Sequence, residues 1–183
     1  MSKGEAMRDR TAAAIVDSAA VIMAERGDAA SMNQIAGAAG VSRATLYRYF
    51  PSREALLQAM AAAAVEELAA RIADADLHGI PFEQAVARLA RGFIAVGHRY
   101  IALTVGGYQR TDDYPGVAEP VHALFRRGIA DGSLRADVAP ELLTSLFSGL
   151  IKSALEMTAG GRVGTEEASA AVVAVFLDGA RSR

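Results

Sequence analysis

The chain has 183 residues, a formal net charge of -2 and 52% hydrophobic residues, enough for one ordinary domain or a small module joined to a larger one, and too apolar for a disordered segment. It has no cysteine, which excludes disulfides and thiolate metal sites and is compatible with a reducing cytoplasm, the expected location. No uninterrupted apolar run reaches the ~18 residues of a membrane span, and the opening stretch MSKGEAMRDRTAAAIVDSAA carries acids and lacks a cleavage-site pattern, so it reads as mature protein with no membrane partner.

Apolar residues recur with helical spacing, and no alternating strand run or Asn-Gly hairpin signal stands out. The expected fold class is all-α. A first helix from about Met7 to Arg26, with Ile15, Ala19, Ile22 and Met23 facing inward, ends at Gly27. Ser31 and Gln34 have capping-box spacing at the start of a second helix, which Gly40 closes in the left-handed conformation. Ser42 caps a short third helix ending near Phe50. Pro51 breaks the pattern and Ser52 caps a fourth, from Arg53 to about Asp76, with Leu57, Met60, Ala64, Leu68 and Ile72 as its apolar stripe. Further helices are expected from Phe82 to about Val105, Val117 to Ala130, Pro140 to about Thr158 and Thr165 to Leu177. The breaks fall at Gly106-Gly107, Asp112 through Gly116, Asp131-Gly132 and Gly160-Gly161.

The second and third helices, joined by Gly40-Val41-Ser42, make a helix-turn-helix whose inner contacts come from Ile35, Ala36, Ala39, Val41, Leu46 and Phe50. Arg43, Thr45, Tyr47 and Arg48 are left to face a partner. In such motifs the second helix enters the major groove of duplex DNA and its early residues meet base edges. Arginine grips guanine bidentately and threonine touches a thymine methyl. From Ala29 to Arg53 there are three arginines and no acid. A carboxylate there would repel phosphate, so the surrounding chain carries the net negative charge while this segment stays basic.

Taken together, Ile15 through Gly27, Ser31-Met32-Asn33-Gln34-Ile35-Ala36, Ala39-Gly40-Val41-Ser42-Arg43-Ala44-Thr45-Leu46-Tyr47-Arg48-Tyr49-Phe50 and Ser52-Arg53-Glu54-Ala55-Leu56 resemble the tetracycline-repressor (TetR) family of bacterial transcription regulators. The resemblance covers about a quarter of the chain. It implies a helix-turn-helix DNA-binding domain over residues 1–51 and a helical effector-binding and dimerisation domain over 52–183. It also implies that Ser31 and Arg53 meet phosphates, that Ser42, Arg43, Ala44 and Thr45 begin the recognition helix, and that Tyr47, Arg48 and Tyr49 reach the DNA. Arg53 stands where the family usually has lysine, which keeps the charge and changes the donor geometry. Met23 and Asp28 replace frequent aromatics.

The middle helices offer Phe93, Val96, Tyr100, Tyr108 and Phe125 as the lining of a ligand cavity, with His98, Arg99 and Gln109 as polar contacts. Mostly apolar pockets with a few polar groups occur between bundle helices, and ordinary core packing is the competing account. Leu142, Leu143, Leu146, Phe147, Leu150 and Ile151, with Val172, Val175 and Phe176, are too many large apolar residues for one narrow stripe. They suggest a four-helix seam between two subunits, with intrachain core as the alternative. The expected function is a repressor released from a palindromic operator by a small apolar or aromatic molecule, with operator DNA, a second copy and that effector as partners. The rival readings are a constitutive DNA-binding regulator or adaptor without an effector, and an enzyme whose triad is assembled from distant residues. No phosphate loop or nucleophile elbow occurs, and His78, His98 and His122 lack ligand spacing, so no cofactor and no metal are expected.

Overall fold

The computed structural model of the chain describes residues 3–105 and 115–181. Their regular elements are helices: α1 Lys3–Arg26, α2 Met32–Ala38, α3 Arg43–Tyr49, α4 Arg53–Asp74, α5 Phe82–Arg99, α6 Ile101–Val105, α7 Pro115–Ala130, α8 Pro140–Ala159 and α9 Thr165–Ala180. Extended pairing among these residues is limited to an isolated antiparallel bridge between Leu134 and Arg181. Two compact units result. One takes residues 3–64 with 99–105, the other 65–98 with 115–181, the chain passing from one to the other inside α4 and again at the last residue of α5.

In the first unit, α1 ends in a short 3-10 turn, Gly27–Ala29. Ile15, Ala19 and Met23 of α1 are buried with Ile35 and Ala36 of α2, Leu46 of α3 and Phe50, whereas Ile22 is half-buried. Helix α6 packs against α1. Arg99, just before α6, reaches Asp17 of α1 at 2.7 Å. The long helix expected from Phe82 to Val105 is interrupted at Tyr100, whose carbonyl accepts the N–H of Leu103 at 2.9 Å in a tight turn. No glycine or proline marks that interruption. Tyr100 is buried, 3% exposed.

Helix α4 buries Leu56, Met60, Ala64, Leu68 and Ile72, spaced four apart along one face. Leu56, not Leu57, heads the stripe; Leu57 is half-buried.

In the second unit, α5 buries Phe82, Val86, Leu89 and Ile94. Gly97 on α5 lets α8 approach closely, since a Cβ there would lie 2.6 Å from a Leu155 methyl. Arg127 of α7 donates to the carbonyls of Leu77, His78 and Ile80 at 2.6, 3.0 and 3.3 Å, holding the chain that follows α4. Phe125, Phe147 and Phe176 form an aromatic cluster, with ring centroids 5.1–5.5 Å apart. Helix α7 begins at Pro115, so Pro115-Gly116 open a helix where a break was expected. Gly106-Gly107 and Asp112 through Tyr114 lie outside the described residues. The C-terminal end of α9 runs to Ala180, past the expected Leu177. Its last carbonyl accepts the N–H of Arg135 at 2.9 Å.

Candidate nucleic-acid interface

The helix-turn-helix is built from its caps outward. Ser31 accepts the N–H of Gln34 at 3.3 Å while the Gln34 side chain accepts the N–H of Ser31 at 2.9 Å. This reciprocal box satisfies two otherwise unpaired donors at the start of α2. The Ser31 hydroxyl also lies 3.0 Å from the same Gln34 oxygen. At the other end, Gly40 takes φ +67°. Its N–H donates to the Gly37 carbonyl at 3.2 Å and that of Val41 to the Ala36 carbonyl at 3.0 Å, the Schellman pattern that a left-handed residue permits. Ser42 then accepts the N–H of Thr45 at 3.1 Å, starting α3 two residues after the turn.

With Leu46 fully buried and Phe50 8% exposed, the opposite face of α3 is left to solvent. Ser42, Arg43, Ala44, Tyr47 and Arg48 are exposed; Thr45 and Tyr49 are intermediate. The Thr45 hydroxyl lies 2.9 Å from that of Ser42. The guanidinium of Arg43 lies 5.4 Å from the Tyr47 ring centroid, and that of Arg48 lies 5.7 Å from Tyr49. No carboxylate among the described residues pairs with either arginine. Elsewhere, arginines close ion pairs: Arg71 with Glu67, Arg126 with Glu119, Arg135 with Asp137 and Arg181 with Glu83. Charge on α3 is therefore held against aromatic faces, where it stays available to an anion.

Arg53 opens α4. Half-buried, it donates from Nη1 to the carbonyl of Ala30 and so braces the start of α4 against the segment before α2. A side chain that sequence reasoning passed over also belongs to this surface: Arg8, on α1, places its guanidinium 5.9 Å from the Tyr49 ring. Nothing in the sequence pattern marked it, because α1 and α3 meet only through the fold.

Residues 15–60 match the profile of the bacterial regulatory proteins of the tetR family. Over 175 residues the chain is 30% identical to the HTH-type transcriptional repressor LfrR of Mycolicibacterium smegmatis, covering 79% of this chain and 92% of that protein. The chain belongs to the TetR family. This TetR-family protein is a DNA-binding transcription regulator. It is also 29% identical over 161 residues to the HTH-type transcriptional regulator NfxB of Pseudomonas aeruginosa, covering 82% of this chain and 84% of that one. Its structure resembles that of the TetR-like regulator LfrR from Mycobacterium smegmatis in complex with proflavine. The TM-score is 0.74 at 26% identity, over 94% of this chain and 97% of the other. Among the described residues no helix is long and apolar enough to cross a membrane.

The residues expected to line a ligand cavity are distributed between the units. Phe93 is half-buried and Val96 buried on α5, and Phe125 is buried on α7, all three in the second unit. Tyr100 belongs to the first, with the Arg99 guanidinium 5.5 Å from its ring. Tyr108 and Gln109 lie outside the described residues. His98 is exposed.

The residues expected at a subunit seam divide into two classes. Leu143, Phe147, Ile151, Val172 and Phe176 are buried within their own subunit, at 1–6% exposure. The rings of Phe147 and Phe176 pack with that of Phe125 on α7, at centroid distances of 5.5 and 5.3 Å. Leu142, Leu146 and Val175 remain 53%, 54% and 60% exposed, and Leu150 is half-buried.

Proposed function

We propose that the protein is a homodimeric repressor that binds a roughly palindromic operator and is released from it by a small apolar or aromatic molecule. Residues 1–51 read DNA; residues 52–183 hold the effector and the second subunit. The carrying observation is the capped, acid-free α3, with Arg43 and Arg48 exposed and unopposed by carboxylate. Ser42, Arg43, Ala44 and Thr45 at its start meet base edges and the neighbouring backbone, and Tyr47 and Tyr49 follow along the groove wall. Ser31 and Arg53 stand at the flanking phosphates.

A dimer is supported by Leu142, Leu146 and Val175, large apolar side chains exposed on neighbouring helices. Covering them by a twofold mate would make a four-helix bundle of α8 and α9 pairs. A small-molecule effector is supported by the related LfrR structure that holds proflavine. Phe93, Val96, Tyr100, Tyr108 and Phe125 are the residues assigned to its site, and the cytoplasm is the compartment where such a regulator works.

Selection of bound fragments from the source organism's genomic DNA by the purified protein tests the reading. Enriched fragments should share an inverted repeat whose half-sites lie ~34–36 Å apart, or a multiple of that. Enrichment without a shared motif would contradict it.

A further inference from the structure

Between the first turns of α1 and the end of α3 lies a cleft of about 320 Å³ lined by Gly4, Met7, Arg8, Arg48 and Tyr49. Gly4, Met7, Arg8 and Arg48 are all exposed. Arg8 and Arg48 place their guanidinium carbons 5.9 and 5.7 Å from the centroid of the same Tyr49 ring. The ring therefore restricts two otherwise flexible cations from two different helices. No carboxylate among the described residues pairs with either. The acids closest in sequence, Glu5 and Asp9, are exposed on α1, and neither lines the cleft.

The cleft has a defined position along the reading helix. Helix α3 has seven residues, so its end lies ~10 Å from its start at ~1.5 Å per residue. The major groove is ~12 Å wide. When the start of such a helix meets base edges, its end therefore comes up against a sugar-phosphate strand. A guanidinium presents donors in a fork that matches phosphate oxygens, and Met7, 54% exposed, gives the cleft an apolar wall suited to a deoxyribose.

We propose that Arg8 and Arg48, both set against Tyr49, form a phosphate clamp on duplex DNA beside the base-reading turn. Helix α1 thereby carries a DNA contact outside the helix-turn-helix. The proposal rests on α3 being the reading helix. Its ligand is the phosphodiester backbone, so its signature is independent of sequence.

The test is a fluorescence titration of the full-length protein with its selected operator and with an unrelated duplex of equal length, each between 50 and 200 mM salt. Each phosphate contact contributes ~0.9 to the slope of log affinity against log salt, which is ~3.5-fold in affinity over that fourfold range. Arg8→Ala should lower the slope by about that amount and weaken both duplexes by the same factor. Arg8→Lys, which keeps the charge, should restore the slope. Arg8 is exposed, and an unchanged thermal melt of the alanine variant would exclude misfolding as the cause. Unchanged slope and affinity in Arg8→Ala would overturn the clamp, as would a lysine variant with the alanine slope or a loss confined to the operator. Arg43→Ala is measured alongside. If it relaxes operator preference while Arg8→Ala is silent, the clamp fails and the reading helix stands. If neither variant differs from wild type, the placement of α3 fails as well.

Discussion

Phe147→Ala should destabilise the second unit by ~4–5 kcal/mol. Phe147 is 1% exposed, and truncating a buried phenylalanine costs ~3–5 kcal/mol from lost transfer free energy and the cavity left behind. Its ring meets Phe176 edge-on at 5.1 Å and Phe125 at 5.5 Å. Each such pair contributes ~0.5–1.5 kcal/mol beyond its buried area, which places the expectation at the upper end. Phe147→Leu retains most of the volume and loses the ring contacts, so it should cost only ~1–2 kcal/mol. The assay is urea unfolding followed by circular dichroism, repeated at two protein concentrations because association stabilises the folded chain. With a slope of ~1–3 kcal/mol per molar urea, the alanine midpoint should fall by ~2 M with little change in slope. A fall below ~0.5 M would refute the placement of Phe147 in the intrachain core.

The neighbouring residue should behave oppositely. Leu146→Glu, with Val175→Glu beside it, alters side chains that are 54% and 60% exposed, so each should leave a folded chain that sediments as a monomer; folded dimers in both variants would place the seam elsewhere. Arg127→Ala removes a charged donor from three carbonyls and should cost ~1.5–3 kcal/mol in the same urea assay, with a loss under ~0.5 kcal/mol counting against the strap. Asp131 accepts hydrogen bonds from the Ser133 hydroxyl and N–H, which hold its carboxyl below the usual carboxylate range. Its contribution is therefore present above the ordinary carboxylate pKa and lost as pH falls through the lowered one; the midpoint difference between wild type and Asp131→Ala should close in acid, and a difference that persists at the lowest pH would contradict this. An effector that releases the operator with coupling of ~1–3 kcal/mol must bind ~5–150-fold more weakly to the DNA complex; calorimetry with and without operator would expose a ligand that lacks this reciprocity.

The reading motif was legible because local chemistry specifies it. Ser31 with Gln34, Gly40 and Ser42 each solve a backbone problem that few other residues solve, and all three solutions appear where the spacing put them. Long helices with alanine on every face were less legible. In α4, Leu56-Leu57 and the alanine run Ala61 through Ala64 leave two adjacent stripes equally apolar, and only packing selects Leu56. The interruption at Tyr100 has no breaker residue; what marks it in the structure is a buried tyrosine whose carbonyl accepts the N–H of Leu103. The role of Phe147 and Phe176 was ambiguous because apolarity does not distinguish a core from a seam. Their rings pack with that of Phe125, which is distant in sequence. Arg8 was silent for the same reason: its meaning comes from Tyr49, forty-one positions away in the chain.

Base reading by Arg43 on α3 underlies the proposed function. The most direct measurement is equilibrium binding of wild type and Arg43→Ala to the selected operator and to a panel carrying single base-pair changes in each half-site. Wild type should lose ~1–3 kcal/mol when the guanine assigned to Arg43 is changed, and Arg43→Ala should no longer distinguish that position while keeping its preferences elsewhere. A variant with the wild-type profile at every position would contradict that assignment.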